Sequence, residues 1–427
     1  MKQPALKQIV RKAALGAALL LSAVSGQALA ETIAITGGKV MTLGKQGTLE
    51  EATILIEDGK IRDVGPNVSI PNGVKVIYAG GKVVTPGFMN SHSRLGITEI
   101  SLSEDSNSHS AREEPFSAAF EVRYGLNPES VVIDANRVEG LTRAVSAPSG
   151  SGRLFSGGGM ILALGDGDRV TAGPGPLFAN LLDGGNHAVA WTKLRLILDQ
   201  VKEYEDRRSD VMKGRWRQEY LLPLEDMDAL IPVVRGERKL VLALERAADI
   251  REAIRLKKDY DLDLILMDVP EAWKVADELA EAGIPVVIDA VANLPYQFPS
   301  IGASLSNAAR LEQAGVLFAI SSLGETHRAY LLGQLAGNAV AHGLSYEAAL
   351  KAITVNPAKI FGIADRYGTL EKGKDADIVV WDGDPLEVAT NPEHVLVKGV
   401  EYPLISRRTL LRDRYMKLDR DLPPAYY

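Results

Sequence analysis

The sequence predicts an α/β protein, a (β/α)8 TIM-like barrel with a small composite β-sandwich domain formed from both chain ends. Its 427 residues, 46% hydrophobic and 24% charged, suit a globular barrel with a satellite domain. Both ends are rich in short β patterns. The middle alternates short apolar runs with helical stretches, which is typical of parallel βαβ units.

The β-rich ends are punctuated by turn signals. Residues 32–84 contain five β-leaning segments separated by the pairs Gly37-Gly38, Asp58-Gly59, Asn72-Gly73 and Gly80-Gly81. The same pattern returns at residues 376–399. Because the ends of a domain often lie close together, we expect both ends to pair in one sheet domain. The predicted β domain comprises residues 31–85 plus 363–405.

The middle, residues 86–362, is the predicted barrel, and 406–427 form a C-terminal tail. Apolar runs at 239–244, 262–267, 284–289 and 316–320 alternate with helical stretches at 248–260, 270–282 and 304–314. The length of this region suits a (β/α)8 barrel. A doubly wound open sheet is the alternative fold.

Residues 1–30 predict a secretory signal peptide and therefore export, with the periplasm as the expected location. Basic residues come first, followed by the apolar run 13–24 and the small-x-small site Ala28-Leu29-Ala30. The alternative is an uncleaved anchor, but about twelve apolar residues are too few to span ~30 Å of hydrocarbon. No later segment reaches transmembrane length. The chain has no cysteine, which excludes a disulfide framework and thiolate metal ligands.

The formal net charge is −7, and the first thirty residues contain four basic side chains and no acidic one. The remainder is therefore more acidic than the whole. This charge disfavours a nucleic-acid or anionic-membrane partner. A small-molecule substrate or ligand is the expected partner, and a homo-oligomer is a hypothesis from the protein class alone.

Three segments carry a family resemblance. They are Pro-Gly-Phe-Met-Asn-Ser-His-Ser-Arg at 86–94, Thr-Val-Asn-Pro-Ala-Lys-Ile-Phe-Gly at 354–362, and the stretch 367–385. They resemble the opening strand, the closing helix and the return into the β domain of the amidohydrolase superfamily. Within it, the chain is most similar to imidazolonepropionase-related amidohydrolases, which open amide-type C–N bonds.

The resemblance implies a metal site at the mouth of the barrel. In the superfamily, two histidines follow the first strand in an Asp-x-His-x-His motif. One histidine follows each of the fifth and sixth strands, and an aspartate follows the eighth. Here His92 matches the first ligand and Arg94 replaces the second. Glu245 is the nearest residue to the fifth-strand position, and Asp268 falls at the sixth.

The eighth-strand position is also altered. Ser322 or Leu323 stands in place of the aspartate, with Glu325 slightly beyond. A guanidinium has no lone pair for a metal, so Arg94 predicts a degenerate metal site and no cofactor. The alternative is a divalent metal, Zn or Mn, held by His92, Glu245 and Asp268.

The resemblance implies a hydrolase that acts on non-peptide C–N bonds of a small amide or cyclic amide. His92 and Asp268 are the candidate catalytic residues that activate water, and Arg94 is the candidate substrate-binding residue. A second hypothesis is a catalytically inactive amidohydrolase-fold protein that binds a small ligand or a protein partner. In the structural interpretation, Arg94 pairs with Asp268 or Glu245, and His92 only lines the mouth.

Two other features have both structural and functional interpretations. The glycine-rich stretch 149–159 could cradle phosphate, but it lacks the Gly-Lys-Ser/Thr ending of a P-loop, so a flexible strand-end loop is expected. His109 lies in a polar loop that could overhang the mouth, and a solvated loop without chemistry is the simpler expectation.

Overall fold

A computed structural model of the chain describes residues 32–150, 152–167, 169–171, 173–181, 186–295 and 298–416. The predicted signal peptide, residues 1–30, lies outside the described residues. Within them, no helix is both long enough and apolar enough to cross a bilayer. The α/β prediction is confirmed, because a strand-rich part flanks a part in which strands and helices alternate.

The two ends of the chain build one sheet with the strand order β17-β16-β15-β5-β1-β2-β3, in which β4 also pairs with β1. Its strands are β1 (Ile33–Met41), β2 (Thr48–Glu57), β3 (Lys60–Gly65), β4 (Lys75–Tyr78), β5 (Val83–Pro86), β15 (Ile378–Trp381), β16 (Pro392–Val397) and β17 (Val400–Tyr402). Antiparallel pairing of β5 with β15 joins the two ends. The predicted sandwich is therefore one continuous hydrogen-bonded sheet within the described ranges.

A bulge in β1 lets this strand pair with several neighbouring strands. Its first half pairs with β4 and its second half with β5. Between them the register shifts around Gly37, whose φ is +77°, and Gly38. A Cβ on Gly38 would lie 2.9 Å from both Ala79 Cβ and Val84 Cγ2, so only glycine fits there.

The central strands form two sheets. One has the order β14-β13-β12-β11-β10-β8 and the other β6-β7-β9. The strands are β6 (Phe88–Ser93), β7 (Leu141–Ser146), β8 (Phe155–Gly158), β9 (Met160–Ala163), β10 (Leu177–Asn180), β11 (Leu240–Ala243), β12 (Leu264–Met267), β13 (Val286–Ile288) and β14 (Phe318–Ile320). Strands β10 to β14 are mutually parallel, which agrees with the predicted βαβ units.

Helices alternate with these strands and cover them. They are α1 (Val131–Arg137), α2 (His187–Met212), α3 (Leu224–Val234), α4 (Ala247–Tyr260), α5 (Ala276–Glu281), α6 (Asn307–Gln313), α7 (Leu332–Ala341), α8 (Tyr346–Ala352), α9 (Val355–Ile360) and α10 (Arg407–Met416). Helix α4 shows why the pattern works. Ile250, Ala253 and Leu256 recur at helical spacing and are fully buried, and Asp261, with a φ of +56°, ends the helix.

One apolar cluster collects side chains from both central sheets. It includes Met89 of β6, Val145 of β7, Phe178 of β10, Ile265 of β12 and Ala319 of β14, together with residues of α9. Strands of the two sheets therefore share one interior. Closure of the two sheets into a single (β/α)8 ring stays a prediction, because the described strands are hydrogen-bonded as two sheets.

The glycine-rich stretch is not simply a flexible loop, and that expectation was wrong for its second half. Residues Phe155–Gly158 form β8, which runs antiparallel to β10. A Cβ on Gly158 would lie 2.2 Å from Nη2 of Arg238, which forms a buried salt bridge of 2.8 Å with Glu121. The missing side chain lets this ion pair pack against the strand.

Candidate active site

The predicted site residues lie where strands end. His92 is near the end of β6, Glu245 follows β11, and Asp268 directly follows β12. Asp289 directly follows β13 and extends the series. Because β11, β12 and β13 are parallel neighbours, their carboxyl ends meet at one edge of the sheet. Polar groups gather at the edge where α/β proteins place their binding sites.

Hydrogen bonds connect the end of β6 to the segment that follows β14. The carbonyl oxygen of His92 accepts a hydrogen bond from Gly324 N (3.0 Å) and another from Ser321 Oγ (3.2 Å). Asn90 Nδ2 donates to Ser322 Oγ at 2.7 Å and to the carbonyl of Ala329 at 2.9 Å. This network occupies the position at which the resemblance implies an aspartate, and it fastens two strands to each other. The sequence did not predict it.

His92 is a neutral imidazole in a restricted environment. Its ring lies 5.8 Å from the ring of Phe178, and no hydrogen-bond partner for its buried Nδ1 occurs among the described residues. Burial, and second the positive charge of Arg94, lower its pKa to about 3. His92 therefore carries no charge near neutral pH and can act only as a neutral donor or acceptor.

Arg94 lies beside His92 and keeps its charge inside a partly buried site. A Cβ on Gly324 would lie 3.4 Å from His92 Cε1 and 3.7 Å from Arg94 Nη2, so both side chains border the same turn. Burial lowers the pKa of Arg94, and the nearby charge of Glu325 opposes that shift. Within the described ranges, Arg94 Nε has no hydrogen-bond partner.

The predicted pairing of Arg94 with Asp268 or Glu245 was wrong. No salt bridge joins these residues in the described part of the chain, and Glu325 is the carboxylate whose charge acts on Arg94. Strand β6, which precedes Arg94, belongs to a different described sheet from β11 and β12, which precede Glu245 and Asp268.

Glu245, Asp268 and Asp289 follow the neighbouring strands β11, β12 and β13. They form an acidic row at the carboxyl edge of this sheet. Burial raises the pKa of Asp268 to about 6, with the charges of Glu245 and Asp289 as further causes. Burial also raises the pKa of Asp289, although the Val291 N–H donates to it at 2.9 Å. The backbone of Asp268 adopts a left-handed φ of +57°, a conformation that aspartate tolerates better than most residues. Asp268 can therefore exchange a proton near neutral pH.

His109 is closer to the site than the sequence suggested. Its Nδ1 lies 3.0 Å from Thr98 Oγ1, and burial followed by the charge of Arg94 lowers its pKa to about 4. The loop that carries His109 therefore folds back toward Arg94. His109 is therefore only partly solvated, whereas Leu102 in the same loop is 99% exposed, and the absence of chemistry in this loop stays a prediction.

The predicted metal ligands His92, Glu245 and Asp268 do not converge. Among the described residues, no group of three or more histidine, aspartate or glutamate side chains is arranged to hold a metal ion. His92 is adjacent to a cation that lowers its pKa, and Asp268 belongs to the acidic row. This donor set does not fit the superfamily's metal.

The family model described as Amidohydrolase family matches residues 269–405. The crystal structure of an amidohydrolase from Thermotoga maritima MSB8 superposes with a TM-score of 0.78 at 26% identity, and covers 88% of this chain and 100% of that one. Together these matches support membership of the amidohydrolase superfamily. The match to the family model begins one residue after Asp268, so it does not include His92, Arg94 or Glu245.

Two curated proteins are also similar to this chain. Amidohydrolase tasK of Hapsidospora irregularis is 23% identical over 389 residues, covering 81% of this chain and 39% of that protein. The imidazolonepropionase of Sphingopyxis alaskensis is 38% identical over 80 residues, covering 18% of this chain and 20% of that protein. The chain thus spans about two fifths of the first relative and one fifth of the second.

Proposed function

We propose that this protein hydrolyses a non-peptide C–N bond in a small amide or cyclic amide. The relatives named amidohydrolase and imidazolonepropionase support the reaction class. The observation that carries the proposal is Asp268, whose pKa of about 6 suits a general base near neutral pH. A (β/α)8 barrel, supported by the shared interior of the two central sheets, would surround the substrate with the polar strand ends.

The proposed reaction gives different roles to Asp268 and to the neighbouring residues Arg94 and His92. The Asp268 carboxylate takes a proton from a water molecule, whose oxygen attacks the amide carbon. The C–N bond then breaks, and the proton passes from Asp268 to the departing nitrogen. Arg94 holds an anionic group of the substrate, and neutral His92 forms a hydrogen bond to it.

The superfamily usually relies on a divalent metal ion to activate water. Since His92, Glu245 and Asp268 do not form a metal-binding group, no step of the proposed reaction uses a metal. We infer that metal dependence is weakened or lost in this chain, and that Arg94 provides a fixed cation at the mouth.

Hydrolysis of a panel of N-acyl amino acids, dipeptides and hydantoin-like rings tests the proposal, with product detection by mass spectrometry. We expect turnover that persists with a chelator, rises as the pH passes through 6 and is lost in Asp268→Asn. Asp277→Asn is the matched control, because Asp277 is exposed on α5. Turnover that needs Zn²⁺ or Mn²⁺, or that survives in Asp268→Asn, would contradict this mechanism.

The second candidate is a protein that binds a small ligand or a protein partner without catalysis. Arg94 and the network of Asn90 and Ser322 support it, because they replace a charged catalytic arrangement with a cation and structural hydrogen bonds. Under this hypothesis, anionic members of the same panel raise the melting temperature without being cleaved. Arg94→Met would remove the increase in melting temperature and would leave the fold intact.

We further propose that the protein is exported to the periplasm and acts on a small molecule there. The basic and apolar pattern of residues 1–30 supports export. Mass spectrometry of protein recovered from the periplasmic fraction should give a mature chain that begins after Ala30. The same sample on a sizing column tests whether the chain forms a homo-oligomer.

A further inference from the structure

A cleft of about 460 Å³ lies between α2, the segment before α3 and the start of β8. Asn180, at the carboxyl end of β10, borders it, so the cleft opens at the same edge of the sheet as the acidic row. His92, Arg94, Glu245 and Asp268 are not among the residues that line it. Its volume is in the range of sites that hold small molecules.

Most of the lining is apolar. Val189 and Ile197 come from one side of α2, Leu221 and Leu222 from the segment before α3, and Phe155 from β8. Val189 is 45% exposed and Leu221 is 54% exposed. An apolar ligand that covers these side chains would be stabilised by the removal of their exposed apolar surface from water.

Two cations complete the lining. Lys193 lies one turn after Val189 on α2, and Arg153 lies opposite, with Nη1 donating to the carbonyl of Phe116 at 2.9 Å. In the described part of the chain, no salt bridge joins Lys193 or Arg153 to a carboxylate. Their charges are available to an anionic ligand.

Asp226 also borders the cleft, and an uncompensated carboxylate there would repel an anion. Its oxygens instead accept hydrogen bonds from Ser117 N at 2.9 Å, Ser117 Oγ at 2.9 Å and Ala119 N at 2.8 Å. The residue is fully buried. Its charge is therefore directed to these donors, and the electrostatic character of the cleft is set by Lys193 and Arg153.

The start of α2 adds to this preference. The helix begins at His187, and its cap, Asn186, accepts a hydrogen bond from Val189 N at 3.2 Å. Both Asn186 and Val189 line the cleft, so the partially positive end of a 26-residue helix faces it. We propose that this cleft binds a small apolar molecule that ends in a carboxylate. Such binding goes beyond the proposed hydrolysis, because it requires no reaction at Asp268.

Calorimetric titration with octanoate, octan-1-ol and octylamine tests this site, since the three probes share one chain length. We expect octanoate to bind, and octylamine to bind at least about tenfold more weakly, a difference of ~1.4 kcal/mol. Lys193→Glu should weaken octanoate binding by at least about tenfold. Lys213→Glu, an exposed residue at the end of the same helix, is the matched control and should leave the affinity unchanged.

A second variant tests the shape of the cleft separately from its charge. Val189→Trp places a large side chain into the cleft from a partly exposed helical position and should block all three probes, while thermal melting shows that the protein is folded. The proposal is overturned if octanoate does not bind, if octylamine binds as tightly as octanoate, or if folded Lys193→Glu keeps the original affinity.

Discussion

Arg143 of β7 and Asp377, which directly precedes β15, form a buried ion pair with Nε and Oδ2 2.6 Å apart. Their side chains are 3% and 6% exposed. The guanidinium carbon also lies 3.3 Å from the ring centroid of Tyr367, and Asp377 accepts a hydrogen bond from Lys398 N at 2.8 Å. The pair connects a central strand to the sheet built from the chain ends.

Arg143→Ala should lower the free energy of unfolding by about 3–5 kcal/mol, because it leaves the Asp377 carboxylate buried without its cation. Urea unfolding followed by circular dichroism measures the change. Lys39→Ala is the control, since its salt bridge to Glu50 has side chains 45% and 76% exposed and should contribute little. Equal effects of the two variants would show that burial of the Arg143 pair does not matter.

Asp268→Asn should raise the free energy of unfolding at pH 7, and it should raise it less at pH 4. The folded pKa of about 6 exceeds the ordinary aspartate value, so the folded state holds the proton more tightly and the free energy of unfolding falls as pH rises between about 4 and 6. Asparagine removes this loss, which amounts to about 3 kcal/mol at pH 7. Urea unfolding at both pH values tests this sign, and a variant whose relative stability does not change with pH contradicts it.

Arg94→Met should raise the pKa of His92. Burial is the larger cause of the lowered value, so the pKa should increase but stay below its ordinary range. The charge of Arg94 also lowers the pKa of His109, which should increase in the same variant. Imidazole NMR signals followed against pH measure both. Arg328→Met, at an exposed position, is the control. An unchanged pKa of His92 in Arg94→Met would rule out the interaction between these two residues.

Asn90→Asp restores the residue type that the family resemblance implies, yet it should destabilise this chain. Asn90 is fully buried and donates through Nδ2 to Ser322 Oγ and to the Ala329 carbonyl. A carboxylate cannot donate these bonds, so we expect a loss of about 1–3 kcal/mol in the free energy of unfolding. Asn338→Asp, at an exposed position on α7, should have a much smaller effect in the same urea experiment.

Much of the central fold follows from periodicity. The apolar run 262–267 becomes β12 (Leu264–Met267), and the helical stretch 304–314 becomes α6 (Asn307–Gln313). Strand β8 could not be predicted, because glycine has low strand propensity. Strand β8 is stabilised instead by contacts between residues that are distant in sequence. These are its pairing with β10 and its packing against the Arg238–Glu121 ion pair.

The candidate site was predictable only in part, for a related reason. An apolar run followed by a polar residue shows that His92 and Asp268 lie at strand ends. It does not show which strands lie side by side, and that order decides which charges meet. Arg94 therefore interacts with Glu325, which lies beyond β14, and Asp268 interacts with Glu245 and Asp289 on neighbouring strands.

Pairing of β5 with β15 has a consequence for biosynthesis. Trp381 Nε1 donates to Thr85 Oγ1 across 296 positions of sequence, so strands translated early keep an unsatisfied edge until most of the polypeptide has left the ribosome. Long-range closure of this kind slows folding and prolongs exposure to aggregation. Completion of the terminal sheet should therefore be a late event, and nascent chains truncated before residue 378 should depend strongly on chaperones.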